Sequence, residues 1–375
     1  MTWQTKKLGE VLEYEQPTAY IVSSKGYRED YETPVLTAGK SFILGKTKEK
    51  EGIFPAKDLP VIIFDDFTTA TKFVDFPFKV KSSAMKILRP VKDISDAKFL
   101  FYMMQNIDFD HTGIHKRYWI SEYSKIEVPV PSVLEQKRIV KKLDEVFEKI
   151  TKAKENTEKN LKKSHELFAS YLQNIFANPG EDWEEKLMGE VYDVRDGTHD
   201  SPRYQKEGFA LVTSKNLKRD RLNFDNVQYI SEKDYKKINE RSGVNKGDIL
   251  FAMIGTIGSP VVVEVEPDFA IKNVALFKIP KEQNGYFLKY FLDSRFVIDK
   301  MSREAKGTTQ KFVGLGYLRS FMITLPPLSQ QNTIVKKLNT LSAEIKKLEG
   351  IYKKKIANLD ELKKSVLQKA FSGEL

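Results

Sequence analysis

The chain has 375 residues and no cysteine, which excludes disulfides and thiolate metal ligands. Its 41% apolar residues, with 24 Phe and 16 Tyr, exclude a disordered chain, and its net charge of +10 points towards nucleic acid. The opening M-T-W-Q-T-K-K is not a signal-peptide pattern, and the longest apolar stretch, 249–263, is too short to span a bilayer. We therefore expect a cytoplasmic protein.

The first 131 residues predict a mixed α/β domain. Apolar runs at 61–64 and 84–88, rich in β-branched and aromatic residues, predict strands. Apolar residues at helical spacing predict a short helix over 97–105. The proline-flanked segment 128–131 is expected to be extended and to lead out of the domain.

A second mixed α/β domain is predicted further along the chain. Strands are expected at 249–253, 261–265 and 274–279, and a short helix at 286–292. Residues 323–326 form a second extended exit, which resembles the exit of the first domain.

A long segment follows each exit, and the two segments repeat one another. Residues 131–176 align with 326–371 without a gap and are identical at 16 of 46 positions. Each segment reads as one long helix. The first opens with a capping box at Ser132 and Glu135 and stops before Pro179, and the second stops near Gly373.

Each of these helices carries one apolar stripe along its whole length, and such a stripe needs a partner. The other copy matches it in length and register, so the sequence predicts an antiparallel coiled coil between the two helices. The alternative is that each helix packs only on its own domain. The predicted interface residues are Ile139, Leu143, Val146, Ile150, Leu161, Leu172, Ile334, Leu338, Leu341, Ile345, Leu348, Ile356, Leu359, Leu362 and Val366.

The domains themselves repeat more faintly. The pattern W-x5-G-E-V occurs at Trp3 and again at Trp183. The sequence predicts a first domain at 1–131, a central helix at 132–180, a second domain at 181–326 and a C-terminal helix at 327–375. The expected fold is therefore mixed α/β, with two domains related by a pseudo-two-fold axis and separated by the two helices.

Charge is almost balanced within each domain, since residues 1–131 hold 19 Lys and Arg against 18 Asp and Glu, and 181–326 hold 23 against 22. Most of the positive excess therefore lies on the two helices. Nucleic-acid binding by the domains would require their charges to be sorted by face.

Several motifs could indicate catalysis, but each has a simpler interpretation. F-x-G-x-G at 312–316 fits a methyl-donor loop, but the residues after it, 317–325, look extended rather than helical. His111 and His115 have no third ligand at a suitable spacing. Asp65 and Asp66 fit an acidic turn after an apolar strand. We expect no catalytic residue and no metal site in this chain.

Polar clusters recur at matching places in the two domains. Lys and Arg neutralise phosphates, whereas Thr, Asn, Gln and Arg can pair with base edges. Ordinary solvated loops are the alternative for any one cluster. The candidate DNA-binding residues are Thr37, Lys40, Thr68, Thr69, Thr71, Lys72, Lys116, Arg117, Arg195, Thr198, His199, Ser201, Lys215, Asn216, Lys218, Arg219, Arg221, Thr308, Thr309, Gln310 and Lys311.

With these motifs the chain resembles, over its whole length, the specificity subunit of Type I restriction–modification enzymes. The resemblance rests on the two P-x-x-x-x-Q-x-x-I-V-x-x-L-[DN] helix starts at 131–144 and 326–339, the W-x5-G-E-V openings, R-D-G-T-H-D-S-P at 195–202 and K-G-T-T-Q-K at 306–311. It implies two target-recognition domains that each read one half of a bipartite, asymmetric DNA site. It also implies helices that space the domains and dock two modification subunits.

The resemblance places the chemistry in the partners. Modification subunits would bind S-adenosylmethionine and methylate adenine, and restriction subunits would use ATP and Mg²⁺. This chain would be a non-catalytic DNA-recognition subunit that binds no cofactor itself. The main alternative is a non-enzymatic coiled-coil adaptor whose variable domains bind proteins, and a third is a self-contained nuclease.

Overall fold

The computed structural model describes residues 3–37, 41–109, 117–218, 221–307 and 311–375. The chain forms two compact units. The first comprises Met1–Glu158 with Lys353–Leu375, and the second comprises Lys159–Tyr352. Each unit therefore contains one mixed α/β domain and part of each long helix.

The elements of the first unit are nine strands and three short helices within its described residues, followed by a long helix. The strands are β1 (Gln4–Lys7), β2 (Leu12–Glu15), β3 (Thr33–Leu36), β4 (Ile43–Thr47), β5 (Val61–Asp65), β6 (Thr71–Val74), β7 (Lys79–Val80), β8 (Met85–Pro90) and β9 (Glu127–Val130). The helices are α1 (Leu8–Val11), α2 (Ala97–Gln105), α3 (Tyr118–Ser121) and the long α4 (Val133–Ala177), with 3₁₀ turns at Pro17–Tyr20, Ala56–Asp58 and Tyr123–Lys125.

The first domain is built on two main sheets. Strands β2-β8-β5-β6 form an antiparallel sheet, and β4-β3-β7 form a second sheet in which β3 and β7 are parallel. The first strand, β1, pairs with the exit strand β9. Strand β5 is buried along its apolar length, which agrees with its run of Val, Ile and Phe.

The second unit repeats this order of elements. Its strands are β10 (Glu184–Leu187), β11 (Asp193–Asp196), β12 (Phe209–Val212), β13 (Leu217–Lys218), β14 (Arg221–Leu222), β15 (Gln228–Ile230), β16 (Ile249–Ala252), β17 (Gly258–Val262), β18 (Phe269–Ile271), β19 (Val274–Lys278) and β20 (Met322–Leu325). Its helices are α5 (Met188–Val191), α6 (Glu232–Ser242), α7 (Gly285–Asp293), α8 (Arg295–Glu304), α9 (Leu315–Ser320) and the long α10 (Leu328–Phe371), with a 3₁₀ turn at Ser214–Asn216.

The sheets of the second domain have the same strand order as those of the first. Strands β11-β19-β16-β17 correspond to β2-β8-β5-β6, and β15-β12-β18 correspond to β4-β3-β7. The entry strand β10 pairs with the exit strand β20, as β1 pairs with β9. The faint sequence repeat thus encodes a repeat of the sheet topology, and α6, α8 and the β13-β14 ribbon have no counterpart among the described residues of the first domain.

The W-x5-G-E-V motif forms the same turn in both domains. Glu10 accepts the backbone N–H of Lys7 at 2.6 Å, and Glu190 accepts that of Leu187 at 3.1 Å, so each Glu caps a one-turn helix. A Cβ on Gly189 would lie 3.0 Å from the Arg319 Cβ and 3.1 Å from its carbonyl oxygen. This close approach explains the glycine in the motif.

The two long helices pair in antiparallel fashion within the first unit. Arg138 of α4 donates to the carbonyl oxygen of Leu375 at 2.7 Å, and Lys154 forms an ion pair with Asp360 of α10 at 2.8 Å. Phe371 of α10 packs on Phe99 of α2, with ring centroids 5.4 Å apart. The alternative in which each helix packs only on its own domain is therefore wrong.

The second unit contains the other half of this pairing. Leu172 and Phe176 of α4 share one apolar core with Val335 and Leu338 of α10 and with the second domain. His165 lies 3.9 Å from Glu349. The antiparallel pairing predicted from the repeated stripes is confirmed in each unit.

The buried stripe differs from the predicted one at some positions. Ile139, Leu143, Ile150, Leu172, Leu338 and Ile345 are buried, and Val146, Leu161, Ile334, Leu341, Ile356, Leu359 and Val366 are half-buried. Leu348 and Leu362 are 39% and 47% exposed, more than the other predicted interface residues. Phe147, Val335 and Leu367 are buried instead, because the helices also pack against the domains and the stripe widens towards them.

Most of the predicted strands and helices lie within one or two residues of their positions in the structure. Helix α2 has the predicted bounds, and α7 extends the prediction by one residue at each end. The strand predicted over 261–265 is shifted, since β17 ends at Val262 and Val265 is 45% exposed. Residues 317–325 are not all extended, because the helix α9 (Leu315–Ser320), which follows Gly314, includes residues 317–320. Within the described part of the chain, no helix is long and apolar enough to cross a membrane.

Candidate DNA-reading surfaces

One end of the four-stranded sheet in the second unit gathers several polar loops. The last residue of β11, Asp196, lies opposite Ala275, and Ala252 at the end of β16 lies opposite both Val274 and Gly258. The segments that leave or enter these strands, 197–201, 253–257 and 272–273, therefore meet at this end. We call it the loop end of the second unit.

Segment 197–201 is held close to the sheet by its glycine. The N–H of Gly197 donates to the carbonyl oxygen of Val274 at 3.0 Å, and that of Thr198 donates to Ile271 at 3.0 Å. A Cβ on Gly197 would lie 2.3 Å from the carbonyl oxygen of Ile271. Only glycine allows the backbone at 197 to come this close to the backbone of Ile271. The backbone bonds of Gly197 and Thr198 fix the turn, so the side chains after it face outward.

His199 is held by two side chains at the loop end. Its Nε2 lies 2.8 Å from Asp196 Oδ2, and its Nδ1 lies 2.9 Å from Asn273 Oδ1. The imidazole is nevertheless 57% exposed, so the surface of its ring is accessible while the ring plane is fixed. Such prior ordering lowers the entropy cost of recognition.

Cations surround this turn. Arg241 of α6 donates to Asp196 Oδ1 at 2.7 Å and to the carbonyl oxygen of Gly197 at 3.0 Å. Lys272 donates to the carbonyl oxygen of Asp200 at 2.8 Å and to Ser201 Oγ at 2.6 Å. A cavity of about 360 Å³ between the turn and α6 is lined by Thr198, His199, Ser201 and Arg241, among others.

Arg195 lies beside this turn but is engaged within the protein. It donates to Asp193 at 2.5 and 2.9 Å and to the carbonyl oxygen of Arg241 at 3.2 Å. The guanidinium holds the pKa of the Asp193 carboxyl below its ordinary value. The ion pair is partly exposed, so Arg195 orders the strand end and keeps part of its guanidinium at the surface.

Residues 311–313 lie against the β16–β17 turn. The N–H of Gly255 donates to the carbonyl oxygen of Lys311 at 2.8 Å, and the N–H of Val313 donates to Met253 at 2.9 Å. Lys311 is exposed there. The structure thus brings Lys311 to the same loop end as Thr198, His199 and Ser201.

The remaining candidates of the second unit follow β12. Lys215 is exposed, whereas Asn216 is buried and its amide bonds Thr213 and the carbonyl oxygen of Asn223. Asn216 therefore shapes the turn and does not offer its amide to a base. Lys218 and Arg221 are both exposed and face each other across the β13-β14 ribbon.

The first unit has an equivalent loop end, where Glu15, Asp65, Thr71 and Met85 terminate their strands. Thr68 and Thr69 form the β5–β6 turn, in which Asp65 Oδ1 accepts the N–H groups of Phe67 at 2.8 Å and Thr68 at 3.1 Å. Thr71 begins β6 at the same place. We call this the loop end of the first unit.

Arg117 is drawn to this loop end by Asp66. The residue after it, Tyr118, donates its N–H to the carbonyl oxygen of Asp66 at 3.0 Å, and Trp119 donates to Asp66 Oδ1 at 2.9 Å. Asp66 also pairs with buried Lys86. Asp65 and Asp66 are thus structural, as the acidic-turn interpretation predicted, and Arg117 precedes Tyr118 at the place where Phe312, the neighbour of Lys311, precedes Val313 in the second unit.

Two further candidates flank one aromatic ring. Thr37 donates its N–H to the carbonyl oxygen of Phe42 at 3.0 Å, and the Lys72 ammonium lies 5.8 Å from the centroid of the Phe42 ring. The six candidates Lys40, Lys116, Arg219, Thr308, Thr309 and Gln310 lie outside the described residues, as do His111 and His115.

Sequence inspection missed three residues that build the second loop end. Lys272 and Asn273 belong to a landmark that repeats 81–85, and this repeat was a usable signal. Nothing in the sequence indicated Arg241, because its partners Gly197 and Asp196 are 44 and 45 positions away. Among the described residues, no group of three or more His, Asp or Glu side chains could hold a metal ion.

Two α/β units with one strand order, each with a polar loop end of different sequence, define a protein of duplicated recognition domains. The chain belongs to the family of the Type I restriction modification DNA specificity domain, whose model matches residues 1–162 and 180–356. The family resemblance suggested by the repeated helix starts is confirmed.

Individual relatives agree with this assignment. The chain is 43% identical over 193 residues to the EcoR124I/EcoR124II specificity subunit of Escherichia coli, a match that spans 49% of this chain and 47% of that subunit. It is 23% identical to the MjaVIII specificity subunit of Methanocaldococcus jannaschii over 100% of this chain and 93% of that one. The chain thus aligns with about half of the first relative and with nearly all of the second.

Solved structures share the fold over the full length. One, described as the basis of complex assembly and conformational transition of the type I R-M system, has a TM-score of 0.76 at 20% identity and covers 100% of this chain and 98% of that one. The HsdS subunit of Thermoanaerobacter tengcongensis has a TM-score of 0.57 at 19% identity, with coverage of 100% and 97%.

Proposed function

We propose that this chain is the DNA-recognition subunit of a Type I restriction–modification complex and that each loop end reads one half of a bipartite, asymmetric DNA site. The observation that carries the proposal is the repeat of one sheet topology with unlike loop ends. The first domain, 1–131, offers Thr68, Thr69 and Arg117. The second domain, 181–326, offers Thr198, His199, Ser201 and Lys311.

The chemistry of these side chains suits duplex DNA. Lys311 and Arg117 are cations on exposed turns and would neutralise phosphates, which fixes the register of each domain on the duplex. Thr68 and Thr198 carry hydroxyl groups that can pair with base edges. Both ring nitrogens of His199 are held by Asp196 and Asn273, so His199 would offer the surface of its ring to the DNA. Because the two sets differ, the two half-sites should differ as well.

We further propose that the helices at 132–180 and 327–375 act as spacer and as docking surface for two modification subunits. Leu134 is 82% exposed near the start of α4, and Ile351 is 51% exposed on α10, so both helices present apolar residues at their surfaces. In the complex, S-adenosylmethionine would be bound by the modification subunits. ATP and Mg²⁺ would be used by restriction subunits. This chain would supply the specificity alone.

The test is a map of methylated adenines across the genome of a host with and without this gene. A split motif that disappears on deletion and returns on complementation is the expected result. Thr198→Ala with His199→Ala should then relax only one half of the motif, and Thr68→Ala with Thr69→Ala only the other. Loss of both halves together in each variant would contradict the assignment of one half-site to each domain.

Family membership favours this function over a protein-binding adaptor. The DNA-recognition function and the adaptor function predict different binding of the purified complex to random duplexes. DNA binding through several phosphate contacts weakens steeply as salt rises. An absence of duplex binding at low salt, with an unchanged methylation map after deletion, would favour the adaptor.

A further inference from the structure

A buried glutamine at the start of each long helix joins that helix to its domain. Gln136 and Gln331 occupy equivalent positions of the repeat, and both side chains are 0% exposed. Exposed glutamines are ordinary on helices, but full burial of an amide is costly unless all its hydrogen bonds are made.

The Gln136 amide makes three hydrogen bonds. Its Oε1 accepts the N–H of Asp96 at 2.7 Å, and its Nε2 donates to the carbonyl oxygens of Ile94 and Pro131, both at 2.9 Å. Asp96 is the N-cap of α2, since its Oδ1 accepts from Lys98 and Phe99. Gln136 thus ties the first turn of α4 to the first turn of α2.

The second unit repeats this arrangement with different neighbours. Gln331 Oε1 accepts the N–H of Asn284, the N-cap of α7, at 2.9 Å. Its Nε2 donates to the carbonyl oxygen of Pro326 and to Gln283 Oε1, both at 2.9 Å. The bonds to the helix cap and to the proline carbonyl are the same in both units, whereas the third acceptor is the Ile94 carbonyl in one unit and the Gln283 side chain in the other.

A second contact fixes each pair of helices further along. Tyr102 of α2 donates to Asp144 Oδ1 of α4 at 2.6 Å, and Tyr290 of α7 donates to Asn339 Oδ1 of α10 at 2.7 Å. Two bonds separated by about two helical turns prevent both sliding and rotation of one helix on the other. We call each set of two contacts a helix joint.

Each joint leads directly to a hairpin that ends in a loop end. Helix α2 packs on β5, β6 and β8, with the rings of Phe101 and Phe73 5.9 Å apart. Helix α7 packs on β17. The hairpins β5–β6 and β16–β17 carry Thr68 and the turn next to Lys311 at their tips. Close-packed elements of this kind transmit a change of angle instead of absorbing it.

We infer that Gln136 and Gln331 are positioning residues that set the angle between each long helix and the hairpin that reaches DNA, and that they thereby select the gap between the two half-sites. The inference rests on the proposed function. In this inference, the two buried amides determine the gap between the half-sites, and the loop-end residues determine which bases are read.

The test uses the complete complex with its modification subunits and Gln136→Glu or Gln331→Glu. Glutamate keeps the shape and the acceptor oxygen, but it donates to neither of the two carbonyl-type oxygens when ionised and to only one of them when protonated. Duplexes carry the native half-sites with the native gap or with one base pair more or less. The expected result is a loss of about tenfold in preference for the native gap, the fold-change that one to two buried hydrogen bonds represent, with both half-site sequences still required.

Matched controls separate positioning from folding. Gln173→Glu and Gln368→Glu alter exposed glutamines at equivalent positions of the same helices and should leave gap preference unchanged. Tyr102→Phe and Tyr290→Phe remove the second contact of each joint. Like the Gln136→Glu and Gln331→Glu variants, they should lower the preference for the native gap. Melting temperatures are recorded for every variant.

The outcomes are distinct. Equal weakening at all gaps by the Gln136→Glu and Gln331→Glu variants, or an unchanged preference in a folded variant, would overturn the role of the joints. A wild-type complex that shows no half-site requirement at all would instead refute the proposed function itself.

Discussion

Lys86 Nζ lies 3.3 Å from Asp66 Oδ2, and the two side chains are only 1% and 3% exposed. Asp66 Oδ1 also accepts the N–H of Trp119 at 2.9 Å. This buried ion pair joins the end of β5, the strand β8 and the segment that follows Arg117. It holds the first loop end together from within.

Lys86→Met should destabilise the first unit strongly. The substitution leaves a buried carboxylate without its cation, and breaking a buried pair in this way costs about 3–5 kcal/mol. Urea denaturation followed by tryptophan fluorescence measures the loss, because Trp119 is buried beside the pair. Asp30→Asn is the control, since the Arg28–Asp30 pair is more than 60% exposed on both sides and should contribute below about 1 kcal/mol. Similar losses in the two variants would contradict the buried-pair argument.

Gly197→Ala should damage recognition by the second loop end. The added Cβ would meet the backbone of Ile271 at 2.3 Å, so β11 or β18 must move and the turn that carries His199 moves with it. Binding to duplexes should fall, and the second half-site should lose its sequence requirement. The measurement is binding to duplexes in which either half-site is scrambled.

Gly350→Ala is the matched control for that experiment. Gly350 lies within α10, and nothing lies within 4 Å of an added Cβ. Alanine should therefore raise stability by about 0.5–1 kcal/mol through its helix preference, with recognition unchanged. A recognition defect at Gly350, or none at Gly197, would count against the role of the turn.

Arg117→Gln should weaken DNA binding without changing which bases are read. If Arg117 neutralises one phosphate, its loss lowers the slope of log affinity against log salt by about 0.9. Lys57→Gln is a suitable control, because Lys57 is exposed before β5, at the opposite end of that strand from the loop end. An unchanged salt slope in Arg117→Gln would show that this cation does not contact the backbone.

Arg195→Gln should reduce stability in a pH-dependent way. Arg195 lowers the pKa of Asp193 in the folded protein, so its contribution is present above the ordinary Asp pKa of about 3.9 and is lost as pH falls through the folded value. Both groups are partly exposed, so the contribution stays below about 1 kcal/mol. Unfolding free energies of wild type and variant, measured from pH 7 downward, should converge in the acid range. A difference that grows towards low pH would exclude this origin.

The sequence predicted the helices and strands that are specified by a local composition or by a periodic apolar pattern. The stripes headed by Ile139 and Ile334 predicted both long helices and their pairing. The apolar run before Asp65 predicted β5, and the residues around Phe99 predicted α2. The helices and strands follow from signals within their own segments, whereas the pairing of the long helices, which are distant in sequence, was predicted because the stripe is repeated.

The missed features depend on distant partners. Leu348 and Leu362 fit the heptad spacing but are exposed, because the stripe is set jointly by the other helix and by the domain packed beside it. Asn216 looked like a base contact, but its amide is used by Thr213 and Asn223. A single sequence does not show which polar groups will be consumed by the fold.

Lengthening both long helices should change the tolerated gap and leave the bases unchanged. Four helix-favouring residues inserted after Lys159 and again after Lys354, which occupy equivalent positions of the repeat, add about 6 Å to each helix. Four residues slightly exceed one turn, so the paired faces stay matched to within about 40°. At about 3.4 Å per base pair the gap should grow by one to two base pairs, as read from the methylated motif. Insertion in only one helix removes the matching of the stripes and should lower stability and methylation. An unchanged gap in the double insertion would mean that the helices do not determine spacing.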